Sequence, residues 1–148
     1  MILLSRRCML AVAAVVDIAL HARPAPVAAK ALAARHNLPP RHLETLLQAL
    51  VRANILKGVR GPRGGYELAR ERRRISMGEI VRATLNDVDG NELGPESRLM
   101  LEVIEPLASQ ASAQFLVALE AVSVDELCRK AEAGAVFGQK EAHSDFTI

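Results

Sequence analysis

Aromatic residues are nearly absent from this 148-residue chain, which has no tryptophan, Tyr66 as its one tyrosine, and Phe115, Phe137 and Phe146 as its phenylalanines. So few rings argue against a core or a ligand site of stacked aromatics, and the abundant alanine and leucine favour helix instead. Cysteine is scarce as well: Cys8 and Cys128 lie far apart, with no CxxC or other metal-ligand spacing. That excludes a disulfide framework and fits a reducing compartment. Uninterrupted apolar runs long enough to cross a membrane are also missing, because Asp17 breaks the N-terminal one. The stretch "SRRCMLAVAAVVDIALHARPAPVAA" imitates a twin-arginine export signal, but Asp17 and the lack of a charged leader favour a buried first helix, Ser5 to about Leu20. A cytoplasmic protein without membrane partners is expected.

Recognisable catalytic and metal-binding patterns are lacking too. His21, His36, His42 and His143 show no HExxH spacing. "DVDGNE" sets Asp87, Asp89 and Asn91 at positions one, three and five of a calcium loop, yet Glu92 stands where glycine is required and Arg98 where a bidentate glutamate is. No serine, cysteine or carboxylate pair comes with a base to activate it, so nothing points to an enzyme or to a resident metal.

What the chain does have is a split in charge. Residues 1–82 carry 15 Lys/Arg and 5 Asp/Glu, a net of +10, and residues 83–148 carry 4 and 12, a net of −8, leaving +2 overall. A basic half joined to an acidic half suggests that the first meets a polyanion and the second does not.

The basic half reads as helices followed by a hairpin. "ARPAP" ends the first helix, and an alanine-rich helix follows from about Val27 to His36. "NLPP" is a tight turn, with Asn37 tolerant of a left-handed backbone and Pro39 and Pro40 suited to the start of the next helix, which runs to about Asn54. In that helix Leu43, Leu46, Leu47, Leu50 and Val51 form one apolar stripe. Arg41, Glu44, Thr45, Gln48 and Arg52 form the opposite face, either a solvated surface or one that reads base edges and phosphates. Two short helices joined by a tight turn describe a helix-turn-helix. In "VRGPRGGY" the glycines sit between the strand-like "ILKGV" and "YELA", so the loop is the tip of a hairpin, a wing able to hold Arg60 and Arg63 in a minor groove. It lacks the Lys-Ser/Thr of a phosphate-binding P-loop. "RERRR", residues 70–74, continues the cationic surface toward flanking phosphates.

The acidic half is helical. Ser76 with Glu79 and Ser123 with Glu126 form capping boxes, flanked by the staples Ile75–Ile80 and Val122–Leu127. Between the two, a polar loop precedes a long amphipathic segment, about Pro95 to Ala121, in which Met100, Ile104, Leu107, Ala111, Phe115 and Leu119 keep one side apolar. A second copy is the expected cover for that side, making it a dimer interface, with Pro106 bending or dividing the helix. The organisation is therefore a DNA-binding unit over 1–85, a loop over 86–94, dimerisation helices over 95–134 and a loosely held tail over 135–148.

The run "LETLLQALVRANILKGVRGPRGGYELARERRRISMGEIVRA" resembles the Rrf2 family of bacterial winged-helix transcription regulators. The likeness extends from "LLSRRCMLAV" to "SVDEL", and "VRGPRGGYEL", the family's wing, is its most specific part. It implies a homodimer on an inverted-repeat operator, with a recognition helix in the major groove and a wing in the minor groove. By position, Pro39–Asn54 is the recognition helix, with Arg41, His42, Glu44 and Gln48 nearest the bases. Arg60, Arg63, Gly64, Gly65 and Tyr66 belong to the wing, Arg73 to the basic run, and Arg6 and Arg7 to the start of the first helix beside the DNA backbone. Cluster-binding members carry three closely spaced cysteines before the dimer helix, and Asn86 to Pro95 contains none. The resemblance therefore implies no iron-sulfur cluster of the usual kind. It leaves an unusual cluster at Cys8 as the alternative to the favoured reading of Cys8 as a small core residue.

The expected protein is mainly α, a winged helix-turn-helix with a small hairpin and a long C-terminal dimerisation helix. It would act as a repressor of transcription, answering to a small-molecule effector, to cysteine oxidation or to a partner protein. The alternative is a winged-helix interaction module that binds a metabolic enzyme; a steep salt dependence of DNA affinity separates the two.

Overall fold

The computed structural model describes residues 4–85 and 97–138. The 86–94 loop with its calcium-like pattern, Pro95, and most of the tail, Phe146 included, lie outside the described residues.

Helix α1, Arg6–His21, begins where the Ser5 hydroxyl accepts from the Cys8 amide at 3.2 Å. It is the hub of the fold: Ala11, Ala14, Val15 and Ile18 are wholly buried, and four further helices pack around it. Helix α2 is shorter than its alanine run, Ala29–Arg35, because Val27 is drawn into pairing with Tyr66. Asn37 takes the left-handed backbone expected of it, φ 52°, and the Leu38 amide donates back to the Ala33 carbonyl at 3.0 Å, closing α2. Helix α3, Pro40–Arg52, follows at once, with Pro40 as its first residue.

The stripe on α3 buries Leu43, Leu46, Leu47 and Leu50 as expected, but Val51 is 37% exposed and Ala49 is buried instead. The chain peels away just after Val51: Asn54 is left-handed at φ 59°, and the Ile55 amide donates to the Leu50 carbonyl at 3.0 Å. This second left-handed stop turns the chain into strand β1, Leu56–Val59, which pairs antiparallel with β2, Gly65–Leu68, in the register Leu56↔Leu68. Val27 adds a third rung, its amide donating to the Tyr66 carbonyl at 2.9 Å and its carbonyl accepting from the Tyr66 amide at 2.8 Å. Of the loop glycines, Gly61 alone has a left-handed φ, 118°. Gly65 is required for a different reason: a Cβ there would collide with the Val27 carbonyl.

Helix α4, Met77–Leu85, starts in the expected box: the Glu79 amide donates to the Ser76 hydroxyl at 3.1 Å, and the Ser76 amide to the Glu79 carboxylate at 3.4 Å. Beyond the undescribed stretch the chain is helical with a π-helical turn over Met100–Ile104, then forms α5, Glu105–Glu120, and α6, Val124–Ala133. Pro106 lies in the first turn of α5 and has no N–H for the carbonyl one turn back, so the division expected from it is where the helix widens. At α6 the Glu126 amide donates to the Ser123 hydroxyl at 3.1 Å. The two helix starts face each other, Met77 N–H to Val122 carbonyl and Val124 N–H to Ile75 carbonyl, both 2.8 Å. Val124 and Cys128 of α6 complete the core built on α1, so this helix, grouped by its sequence with the dimerisation helices, is packed against the first unit.

One buried charge ties the front of the molecule together. Asp17, the residue that interrupts the apolar run, has no exposed surface. Arg35 of α2 grips both its carboxylate oxygens, with Nη2 to Oδ1 at 2.6 Å and Nε to Oδ2 at 2.9 Å. His36 Nε2 donates to Oδ2 at 2.9 Å, and His21 Nδ1 lies 3.1 Å from Oδ1. Burial opposes the charge, but the hydrogen bond and positive charge of Arg35, with the bond from His36 and the charge of His21, outweigh it and hold the carboxyl below its ordinary 3.8. Because the folded value is depressed, this group's contribution to stability is complete above that ordinary value and is lost as pH falls through the folded one. Asp17→Asn should lower unfolding free energy near neutral pH by about 1.5–3 kcal/mol in a urea titration. It should also flatten the acid limb of the stability profile; an unchanged acid limb would show that the clamp is not the titrating element.

Candidate nucleic-acid interface

The α3 helix is held by its apolar side, and this sets what its other side can do. Leu43, Leu46, Leu47 and Leu50 anchor it among α1, α2, α4 and β1, so Arg41, His42, Glu44, Thr45, Gln48 and Arg52 all stand in solvent along one exposed face. Arg41, Glu44 and Gln48 make no side-chain bond to any other described residue. These three side chains, not engaged by their own protein, present the hydrogen-bonding groups that fit base edges.

The wing is rigidly referred to the same helix. Only Ala53, the left-handed Asn54 and Ile55 separate α3 from β1, and Arg70 Nε donates to the Asn54 carbonyl at 3.2 Å from the far side of the hairpin. At the tip Arg60 and Arg63 are exposed, and the Gly64 amide donates to the Gly61 carbonyl at 2.9 Å to close the turn. Gly64, Gly65 and Tyr66 are half-buried; the Tyr66 ring packs against the core, so this residue holds the wing in place through both ring and backbone. Lys57 and Glu67 pair across the strands at 2.9 Å.

The basic run divides between two uses. Arg70 pairs with Glu79 at 2.9 Å and Arg72 with Asp125 of α6 at 2.9 Å, so both are structural. Arg73, in the 3-10 turn Arg72–Arg74, is exposed and has no partner among the described residues. At the other end Arg6 is exposed and Arg7 half-buried at the start of α1. The sequence reading passed over Lys30, an exposed cation on α2 of the helix-turn-helix, and the Asp17–Arg35 pair that fixes α2. A lone aspartate in an apolar helical run was the signal for that pair, since such a group is buried only with a partner.

Along the second half, Phe115 and Leu119 are half-buried against the chain's own core, whereas Ile104, Leu107 and Ala111 are exposed; Met100 falls outside those whose side chains are described. Exposed apolar side chains crowd this segment, from Leu99 at 62% and Val103 at 49% to Leu107 at 63%.

Both cysteines are buried core residues. The Thr84 hydroxyl lies 3.2 Å from Cys8 Sγ, and burial pushes the Cys128 thiol above its usual range, against the pull of nearby Arg72. No described helix is long and apolar enough to cross a membrane.

Comparison with known proteins fits this geometry. IscR of Vibrio atlanticus, an HTH-type transcriptional regulator, is 35% identical over 82 residues, which is 55% of this chain and 47% of that protein. The chain spans about half the length of the curated relatives it matches. Among solved structures, T. potens IscR superposes with a TM-score of 0.64 at 30% identity, over 88% of this chain and 89% of that one. CymR, the global cysteine regulator of B. subtilis, shares the fold with a TM-score of 0.67 at 22% identity, over 88% and 98% of the two chains. Residues 4–130 match the family described as Rrf2, iron-dependent transcriptional regulator. With helix, wing and nearly the whole core inside that span, the chain belongs to the Rrf2 family of DNA-binding transcriptional regulators.

Proposed function

We propose that the protein is a cytoplasmic, homodimeric, sequence-specific repressor that binds an inverted-repeat operator. The observation that carries this reading is the set of unengaged side chains Arg41, Glu44 and Gln48 on α3, continuous through one tight turn with a wing whose tip holds Arg60 and Arg63. In this arrangement Arg41, His42, Glu44, Thr45 and Gln48 face base edges in the major groove, and Arg52 lies at the end of the same face. The wing arginines enter the adjacent minor groove, where negative potential is focused. Arg73, Arg6 and Arg7 neutralise phosphates, positioning the protein without reading sequence.

A second copy would cover the apolar side chains of the 99–111 segment. An exposed row of this kind is unusual on a monomer and marks an interface. Ile104, Leu107 and Ala111 would form its centre, while Phe115 and Leu119 brace the helix on its own core. A dimer over a promoter would occlude polymerase, which is the ground for repression.

The residues do not fit the iron in the family's description. The chain's two cysteines are both buried, Cys128 with a raised thiol pKa, and the 86–94 loop has none. Asp17, His21 and His36 do converge, but Arg35 occupies both carboxylate oxygens. Among the described residues no cluster suited to a metal occurs, and the proposed mechanism has no step through iron.

Selection of bound duplexes from a random pool at near-physiological salt should enrich an inverted repeat with half-sites about one helical turn apart. Failure to enrich any sequence would favour an interaction module over a regulator that reads DNA. Glu44→Ala or Gln48→Ala should relax preference at one base position by about 1–3 kcal/mol, whereas Arg73→Ala should weaken all sequences alike and shallow the salt slope by about one. Uniform weakening by the α3 variants in the same titrations would overturn the assigned roles. Ile104→Glu combined with Leu107→Glu should halve the mass seen by sedimentation while leaving the helical circular dichroism in place; an unchanged mass would move the interface elsewhere.

A further inference from the structure

A cavity of about 560 Å³ opens where the end of α1, strand β2, the 3-10 turn and α6 meet. Its size suits a small metabolite rather than a macromolecule. The half-buried Leu20, Ala22 and Leu68 give it an apolar patch, and three arginines and three glutamates supply most of the rest of its wall.

Most of those charges are already engaged. Arg70 pairs with Glu79, Arg72 with Asp125 and Glu67 with Lys57, each at 2.9 Å, while Glu71 lies 4.0 Å from Arg74. Arg23, just past α1, and Glu132, in the last turn of α6, have no partner among the described residues. One free cation and one free carboxylate, on different walls over an apolar patch, are complementary to a small zwitterion with a hydrocarbon side chain. The free guanidinium offers a planar two-point site to a carboxylate, and the free carboxylate an acceptor to an ammonium.

From this we infer that the cavity is a binding site for an apolar α-amino acid. Arg23 takes the ligand's carboxylate, Glu132 its ammonium group, and Leu20, Ala22 and Leu68 its side chain. The position gives the site a consequence. Its walls include the wing strand and the turn bearing Arg73, so an occupant bears on the elements proposed to hold the phosphate backbone and minor groove. That effector role rests on the DNA-binding reading, but the site itself is tested without DNA, so the two fail separately.

Isothermal titration of the full chain with L-leucine, L-isoleucine, L-valine and L-methionine should give saturable binding for at least one of them. Isopentylamine and 4-methylpentanoate, each lacking one of the two charges, should bind at least about tenfold more weakly than L-leucine, a difference of about 1.4 kcal/mol. Arg23→Ala should erase the advantage of L-leucine over the amine, and Glu132→Ala its advantage over the acid. Both residues are exposed, and unaltered thermal unfolding would show that each variant is folded. Absence of saturable binding by all four amino acids up to about 10 mM, where affinity is only a few kcal/mol, would overturn the inference. So would binding that both variants leave unchanged.

Discussion

The fold depends on a carboxylate held where no carboxylate would sit alone. Asp17 lies on the inner side of α1 with no solvent contact, and an uncompensated charge there would cost several kcal/mol. Arg35 and His36 remove that penalty by reaching it from the last turn of α2 and the residue beyond, and His21 closes from α1 itself. Because these partners sit beside the left-handed turn at Asn37, the bond that neutralises Asp17 also fixes where α3 starts. The Phe137 ring, edge-on to His21 at a centroid distance of 4.9 Å, extends the cluster to the residues beyond α6. Placement of the polar face of α3 is in this sense an electrostatic consequence of burying one aspartate.

The arginines illustrate how a basic sequence separates into scaffold and surface. Arg35, Arg70, Arg72 and Arg82 have acidic partners, Asp17, Glu79, Asp125 and Glu120, and connect elements distant in sequence. Arg41, Arg60, Arg63 and Arg73 have none among the described residues and stand exposed. The net +10 of the first half therefore overstates what it presents to a polyanion, since Arg72 and Arg82 are paired with Asp125 and Glu120 of the acidic half.

Local chemistry made much of this legible. Proline and asparagine at the helix-turn-helix, the glycine-rich wing and the serine-glutamate pairs at helix starts are short-range signals, and each acts in the structure through bonds within a few residues. What escaped was set by tertiary neighbours. Val51 continued the α3 stripe in spacing but lost its cover where the chain turned away, and Val27 belonged to a helix by composition but to the sheet by pairing with Tyr66. Gly65 is needed for its closeness to Val27, which no local pattern reveals. For the candidate site, residue types were legible on α3 and the wing, while the sorting of Arg70, Arg72 and Arg73 awaited partners as far away as Asp125.

The back-to-back bridge joining the starts of α4 and α6 has a bearing on how the molecule is made. Ile75 is seated only when Val122 to Val124 lie against it, and Val124 with Cys128 fills the last place around α1. The chain emerges from the ribosome N-terminus first, so the helix-turn-helix and wing are synthesised well before the segment that closes their core. During that interval α1 is an apolar helix with one side uncovered. The helix-turn-helix and wing therefore reach their final packing only once α6 has emerged.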